Sequence, residues 1–210
     1  MNMLRRLAIA LVCVIGLAPF TAVQASWQEA QATVDQASSR LMNVLDDPAF
    51  QEVDPLLVEV ETILDTVVDF SYISKRVMGK YYRKASAEQQ QTFTQAFKAT
   101  LIRTYAKSLS DFGIVRYEMA PQGKPSPKPN KQIVSVYVYA SNGTKYTLVY
   151  YMLKQDDNWK LVNVLVDGIN LRLNFKNQFA DMVSRTKGNV GQVVTDWEAL
   201  VSTDTKEEGA

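Results

Sequence analysis

The sequence predicts an α+β protein in which helices from both ends of the chain flank a four-stranded antiparallel meander sheet. Apolar residues recur at three- and four-residue intervals through residues 27–113, as they do in amphipathic helices. The period becomes two in residues 114–167, which are rich in Val, Tyr, Ile and Leu, as strands are. The connections between these strands are short enough for hairpins, and the helical period returns after Gly168.

The N-terminus has the three parts of a signal peptide. Arg5 and Arg6 supply positive charge, residues 7–17 form an apolar run, and small residues lead up to Ala25. The apolar run is shorter than the roughly 20 residues that a membrane-spanning helix needs. Cleavage is therefore expected after Ala25.

This expectation sets the domain organisation. Residues 1–25 are the signal peptide, residues 26–203 form a single domain, and residues 204–210 form a polar, flexible tail. Attachment of a lipid to Cys13 is disfavoured because Val12 occupies a position that would need a small residue.

Composition excludes several classes of protein. Without residues 1–25 the chain has 21 basic and 22 acidic residues and no cysteine, so it forms no disulfide and lacks the basic footprint of a nucleic-acid-binding protein. The whole sequence contains no histidine, which is the commonest general base and metal ligand. The chain is expected not to be an enzyme and to hold no metal.

Two pairs of adjacent carboxylates could in principle support acid–base chemistry. Asp46-Asp47 precedes Pro48, and Asp156-Asp157 precedes Asn158 between two strand-like runs. Both pairs are typical of turns.

The helices are predicted from their apolar stripes and their end signals. Ser86-Ala87-Glu88-Gln89 has the form of a capping box, and Asp54, Asp69 or Ser71, and Asn189 are expected to begin other helices. The predicted helices are residues 27–45, a helix capped by Asp54, residues 69–79, residues 86–113, residues 171–188, and a last helix after Asn189.

The four strands are predicted at residues 114–119, 133–140, 145–154 and 159–167. Residues 149–153 are apolar or aromatic at every position, so both faces of that strand are expected to be covered. Helices on both faces would provide this cover, and so would a bound apolar ligand. The two explanations remain open at this point.

The proline-rich connection at residues 121–131 carries three lysines and no acid. It is interpreted as a solvated hairpin loop, with docking on an acidic partner or on anionic headgroups as the alternative.

Two clusters of residues, taken together, resemble the MlaC family. The first consists of Arg76-Val77-Met78-Gly79, residues 82–86, Gln91-Thr92-Phe93 and residues 101–106. The second consists of Trp159-Lys160, Asn163-Val164, residues 167–171, Asn174-Phe175 and Gln178-Phe179. The clusters follow the family's order, and the resemblance extends over nearly all of the chain that follows the signal peptide.

The resemblance implies a periplasmic phospholipid carrier of the Mla system, the toluene-tolerance auxiliary component of an ABC transporter. It implies a curved, nuclear-transport-factor-like sheet with helices that enclose an apolar pocket. Its implied partners are diacyl phospholipid as cargo, an inner-membrane ABC transporter complex and an outer-membrane lipoprotein complex. The implied role is to maintain outer-membrane lipid asymmetry, with no other cofactor. We expect a monomer, as suits a shuttle.

The expected pocket lining consists of the alternate strand residues that point to one face of the sheet, together with residues of the helices that cover this face. Its residues are Val134, Val136, Val138, Val149, Tyr151, Leu153, Val164, Val166, Val77, Met78, Tyr81, Phe97, Leu101, Tyr105, Ile169, Leu171 and Phe175. Some of these are expected to belong to the ordinary core. The opposite parity is the alternative, because a shift of one residue exchanges the two faces.

Two other functions remain open. A small-molecule isomerase or hydrolase on the same fold would need a buried carboxylate, and Asp167 and Glu118 are the acids near strand ends. A chaperone-like protein would bind apolar peptide segments in place of lipid.

Overall fold

The computed structural model describes residues 18–50, 52–111 and 113–207, with most side chains between Ser26 and Trp197. Helices precede and follow one antiparallel sheet. The helices are α1 (Ala18–Asp46), α2 (Val53–Val67), α3 (Phe70–Met78), α4 (Ala87–Asp111), α5 (Leu171–Arg185) and α6 (Val190–Glu207), with 3-10 turns at Pro48–Phe50 and Gly79–Lys84. The strands are β1 (Ile114–Met119), β2 (Lys131–Ala140), β3 (Lys145–Gln155), β4 (Asn158–Val166) and β5 (Ile169–Asn170).

The sheet confirms the predicted α+β class and its meander order. Neighbouring strands pair antiparallel in the order β1-β2-β3-β4-β5. The sheet has five strands where four were predicted. The fifth has only two residues, Ile169 and Asn170, and a segment of that length carries no readable periodicity.

Most of the predicted helix starts are confirmed by hydrogen bonds. The Asp69 carboxylate accepts the Tyr72 N–H, and Ser86 and Gln89 exchange both bonds of a capping box. The Asn189 side chain caps α6 by accepting the Gln192 N–H.

The predicted cap at Asp54 is wrong. Helix α2 begins one residue earlier, at Val53, and Glu52 occupies the N-cap position without a side-chain hydrogen bond. Asp54 instead lies in the first turn, where a carboxylate still favours the positive end of the helix dipole.

The ends of the chain were predicted from composition alone. Residues 1–17 of the predicted signal peptide lie outside the described residues, and α1 already begins at Ala18, before the expected cleavage site. Helix α6 continues to Glu207, four residues into the predicted tail, and residues 208–210 lie outside the description. Cleavage and tail flexibility remain predictions. Among the described residues, none of the helices is both long and apolar enough to span a bilayer.

Helices α3 to α6 share a core built on aromatic rings. Phe93 of α4 contacts Trp197 of α6 at 5.1 Å and Phe179 of α5 at 4.9 Å between ring centroids, both edge to face. Phe97, one turn further along α4, contacts Phe175 at 5.4 Å in the same manner. This four-step spacing in α4, which the sequence shows directly, therefore holds the helical half of the molecule together.

Candidate functional site

Strand register assigns the side chains of the sheet to two faces. Val136 pairs with Leu148, and Leu148 pairs with Val166, so these three side chains form one row across the sheet. The face that carries this row is called the inner face. Its other residues on β2, β3 and β4 are Gln132, Val134, Val138, Ala140, Tyr146, Tyr150, Met152, Lys154, Trp159, Leu161 and Val164. The opposite, outer face carries Ile133, Ser135, Tyr137, Tyr139, Thr147, Val149, Tyr151, Leu153, Asn163 and Leu165.

Helix α1 covers the inner face along a diagonal. At one end its Glu29 carboxylate accepts hydrogen bonds from Lys154 Nζ at 2.9 Å and from Trp159 Nε1 at 3.1 Å. Further along, its Asp35 carboxylate accepts the Tyr117 hydroxyl on β1 at 2.8 Å. The helix packs mainly on β1 and β2 between these points.

Under α1 the inner face is fully buried. Val134 is 0% exposed and Val136 is 1% exposed, and both pack with Ala30 and Val34 of the helix. Along β2, buried residues alternate with more exposed ones in the manner of an ordinary half-covered strand.

Away from α1 the same face stays partly open. Five apolar or aromatic residues there are only half-buried, although they lie on the central strands β3 and β4. We call this part of the inner face the open corner: Tyr146, Leu148, Tyr150, Val164 and Val166. Residues of this type at the centre of a sheet are normally buried, so this part of the face is the candidate contact surface for an apolar ligand.

The pKa of Tyr150 indicates how polar the surroundings of the open corner are. Burial raises the pKa of its hydroxyl to about 12, because the ionised form is poorly solvated there. Its side chain is half-buried and yet lies in weakly polar surroundings. A recess lined by apolar atoms has this combination of properties, whereas an open surface does not.

Apolar groups continue from the open corner onto β5. Ile169 pairs with Val166 and is 60% exposed. Because its partner Val166 belongs to the open corner, the Ile169 side chain extends the apolar surface of that corner.

The predicted lining residues divide among several places. Val134, Val136, Val138, Val164, Val166 and Ile169 belong to the inner face. Val77, Met78, Tyr81, Phe97, Leu101, Leu171 and Phe175 lie in the helical core or pack against it. Tyr105 lies on α4 and is 40% exposed. Contact of these residues with a ligand remains a prediction.

The expectation that all the sheet residues share one face is wrong for β3. Val149, Tyr151 and Leu153 lie on the outer face, opposite to Val134, Val136 and Val138. In the open corner, β3 contributes Tyr146, Leu148 and Tyr150 instead, and none of these three was among the predicted lining residues. β3 is apolar or aromatic on both faces, so its composition does not indicate which of its residues point to the inner face.

The turn between β2 and β3 explains why the predicted parity of β3 is wrong. Asn142-Gly143, taken as a two-residue turn, would place Val136 opposite Val149. The observed turn instead puts Ala140 opposite Thr144, which pairs even-numbered residues of β2 with even-numbered residues of β3. Val134 therefore pairs with Tyr150, and not with Val149 or Tyr151.

The carboxylates considered for catalysis lie at the surface. Glu118 is on the outer face, where hydrogen bonds from Tyr139 and Arg116 lower its pKa. Asp167 is exposed in the β4–β5 turn, and its carboxylate accepts the Thr147 N–H at 2.7 Å. A buried acid with a raised pKa, which the enzyme alternative needs, is provided by neither residue.

The pair Asp156-Asp157 is a turn, as predicted, whereas Asp46 is the last residue of α1 and Asp47 follows it. The Asp47 carboxylate accepts the Ala49 N–H. Asp156 and Asp157 form the β3–β4 turn with φ of 44° and 65°, the left-handed backbone that a two-residue hairpin needs.

The outer face has a separate groove of about 390 Å³. Its floor includes Ile133, Tyr151 and Leu153, and its rim includes Lys128 of the proline-rich loop and Arg172 of α5. The Arg172 guanidinium donates to the Val162 carbonyl at 3.0 Å, which fixes the start of α5 against β4.

Comparison with known proteins identifies a family and a structural neighbour. A profile of the family described as MlaC protein matches residues 35–199. The phospholipid-binding protein from Ralstonia solanacearum, solved in complex with a phospholipid, is 28% identical with a TM-score of 0.73, and the match covers 83% of this chain and 99% of that one.

Two curated relatives match over part of their length. The toluene tolerance protein ttg2D of Pseudomonas putida is 33% identical over 67% of this chain and 65% of its own. The intermembrane phospholipid transport system binding protein MlaC of Haemophilus influenzae is 23% identical over 58% of each chain. The alignments thus span less than two thirds of either relative.

Proposed function

The chain belongs to the MlaC family, and on that premise we propose that it is a periplasmic carrier that holds diacyl phospholipid and catalyses no reaction. The observation that carries this proposal is the open corner, where the central strands present half-buried apolar residues that α1 does not cover. The acyl chains occupy the space beside Leu148, Val164 and Val166, and the headgroup remains near solvent.

The energetics of transfer require such a space. Burial of one methylene is worth about 0.8 kcal/mol, so two acyl chains with roughly 30 methylenes represent about 24 kcal/mol of transfer free energy. A lipid cannot cross an aqueous compartment at that cost without a lined cavity. A membrane holds lipid about as strongly, so the carrier needs no catalytic group, and net direction comes from its partners.

The named relatives supply the cargo and partners of the proposal. One is called a phospholipid transport protein and another was solved with phospholipid. We propose that this chain exchanges phospholipid with an inner-membrane ABC transporter complex and an outer-membrane lipoprotein complex of the Mla system, and so maintains outer-membrane lipid asymmetry. It works as a monomer, with phospholipid as its cargo and no other cofactor.

The positions of the carboxylates favour this proposal over an enzyme on the same fold. Glu118 and Asp167 are exposed, and the hydrogen bonds of Glu118 hold its carboxyl group in the charged form. An isomerase-like reaction would need the opposite, a carboxyl group kept neutral or basic in an apolar pocket.

Native mass spectrometry of protein purified from an exporting host tests the proposal. The expected result is a protein that carries stoichiometric diacyl phospholipid, which organic extraction releases and identifies. A ligand-free protein that also takes up no phospholipid from vesicles would contradict it. Release of peptides in place of lipid would support the chaperone alternative.

A further inference from the structure

Helix α3 and the turn that follows it form a surface of one charge sign. Residues 70–87 contain five basic residues and no acidic one. All five side chains are exposed: Lys75, Arg76, Lys80, Arg83 and Lys84. The apolar residues of α3, including Ile73, Val77 and Met78, face the helical core, which leaves the cations on the outside.

Helix α5 adds two cations to the same surface. The Arg172 guanidinium lies 6.0 Å from the centre of the Tyr72 ring, and Arg76 lies 5.0 Å from the same ring. The Lys176 side chain passes close to Gly79, since a Cβ on that glycine would come within 3.3 Å of Lys176 Cε. We call the seven cations the basic face: Lys75, Arg76, Lys80, Arg83, Lys84, Arg172 and Lys176.

The basic face is not neutralised within the protein. In the part of the chain that the structure describes, none of its seven side chains forms an ion pair with a carboxylate. Asp69 precedes the segment, but its carboxylate accepts the Tyr72 N–H and a hydrogen bond from Gln155.

Three tyrosines lie among the cations. Tyr72, Tyr81 and Tyr82 are half-buried, and each has a basic group within about 5 Å of its ring. Tyrosine has an apolar ring and a polar tip, and it is enriched where a protein meets the headgroup region of a membrane.

The preceding segment has the opposite charge. Residues 28–69, which include most of α1 and all of α2, contain ten acidic residues and one basic residue. The chain after the expected cleavage is close to neutral, so it has no general attraction to an anionic surface. Several acids of this segment are already paired, Glu61 and Asp65 with Lys98 and Glu29 with Lys154. The basic face, whose described side chains form no ion pair with a carboxylate, therefore gives the molecule a preferred orientation towards negative charge.

We propose that the basic face docks the protein on the surface of a membrane that contains anionic phospholipid. The proposal concerns the outer surface of the helical half and does not depend on phospholipid in the open corner. Each Lys or Arg near an anionic bilayer strengthens binding about fivefold, so a few such residues give a reversible contact. Reversible contact suits a protein that must leave the membrane again.

Flotation of the purified protein with vesicles tests this docking. The protein is expected to float with phosphatidylglycerol–phosphatidylcholine vesicles at about 0.01 M salt, where the Debye length is about 30 Å, and to be released at about 1 M, where it is about 3 Å. Vesicles of pure phosphatidylcholine are expected not to retain it.

A matched pair of triple variants assigns the binding to this surface. Lys75→Gln/Lys80→Gln/Lys84→Gln is expected to weaken binding on the order of 100-fold, given about fivefold for each cation. The control Lys124→Gln/Lys145→Gln/Lys187→Gln removes the same charge from exposed positions elsewhere and is expected to bind like the wild type. Equal loss in both variants would overturn the proposal.

Further outcomes separate docking from cargo binding. Native mass spectrometry of the first variant is expected to show unchanged phospholipid content with lost vesicle binding. Wild-type protein that ignores anionic vesicles, or binds neutral ones equally, would refute membrane docking while leaving the carrier function intact. Retention by an acidic protein but not by vesicles would likewise refute it.

Discussion

The two parts of the inner face resemble one another in composition and differ in burial. Val136 lies under α1 and is 1% exposed, whereas Leu148 and Val166, its neighbours in the same row, are half-buried. All three are aliphatic residues on strands of one sheet. Apolar composition therefore does not distinguish a core from a cavity. The distinction comes from whether a helix packs on the row.

The largest expected effect is at Val136 itself. The substitution Val136→Asp places a carboxylate without a partner under α1, which is expected to cost more than about 4 kcal/mol and to unfold the protein. Circular dichroism and urea denaturation would measure this loss. A folded variant of nearly wild-type stability would show that α1 does not seal this part of the sheet.

The same charge at the other end of the row is expected to affect cargo and not folding. The carboxylate of Val166→Asp can be solvated in the open corner of lipid-free protein, so the variant folds. The same carboxylate opposes an acyl chain, so phospholipid is lost. Native mass spectrometry reads the cargo directly.

Tyr151→Asp is the matched control because Tyr151 is 36% exposed on the outer face of β3. It is expected to keep its cargo. Loss of phospholipid in Tyr151→Asp but not in Val166→Asp would assign the cargo to the outer face, the opposite parity.

Truncation of valine to alanine compares the part of the inner face under α1 with the open corner and introduces no charge. Val134 and Val164 both neighbour Tyr150 on the inner face, but Val134 is 0% exposed and Val164 is half-buried. Val134→Ala is expected to lower the free energy of unfolding by about 2 kcal/mol, and Val164→Ala by less than about 1 kcal/mol, because less packing is lost. Urea denaturation of lipid-free protein measures both, and equal losses would contradict the comparison.

The last expected effect is absent at neutral pH and appears only at alkaline pH. Because burial raises the pKa of Tyr150 to about 12 from 10.0, the folded state keeps this proton when the unfolded state has lost it. The contribution of Tyr150 to stability is full below pH 10 and falls as pH rises towards 12, by up to about 1.4 kcal/mol per pH unit. The difference in unfolding free energy between wild type and Tyr150→Phe should show this fall. A difference that is independent of pH would place Tyr150 in a wet environment.

Much of the fold could be predicted because local patterns determine it. The run at Ile114–Met119 was predicted with its observed bounds, and the caps at Asp69, Ser86 and Asn189 were recognised from residue type. These features depend on a few adjacent residues.

The site was less predictable because it depends on what packs across the sheet. Val136 and Val166 could not be distinguished by sequence, since only the path of α1 decides which is covered. The parity of β3 was not predictable either, because Asn142-Gly143 favours a two-residue turn and the observed hairpin places Ala140 opposite Thr144. The irregularity in β4, between the pairs Tyr151–Asn163 and Met152–Leu161, has no recognised signal in the sequence.

That irregularity leaves Val162 as an extra residue without a partner on β3. Before this extra residue the inner face carries odd-numbered residues, Trp159 and Leu161. After it, the same face carries even-numbered residues, Val164 and Val166. Shortening the chain by one residue at Val162 would keep all these directions and remove one buried side chain and the carbonyl that Arg172 uses. A one-residue deletion elsewhere in β4 would exchange the inner-facing and outer-facing side chains in part of the strand. This position is therefore where we expect evolution to tolerate a change of length in the strand.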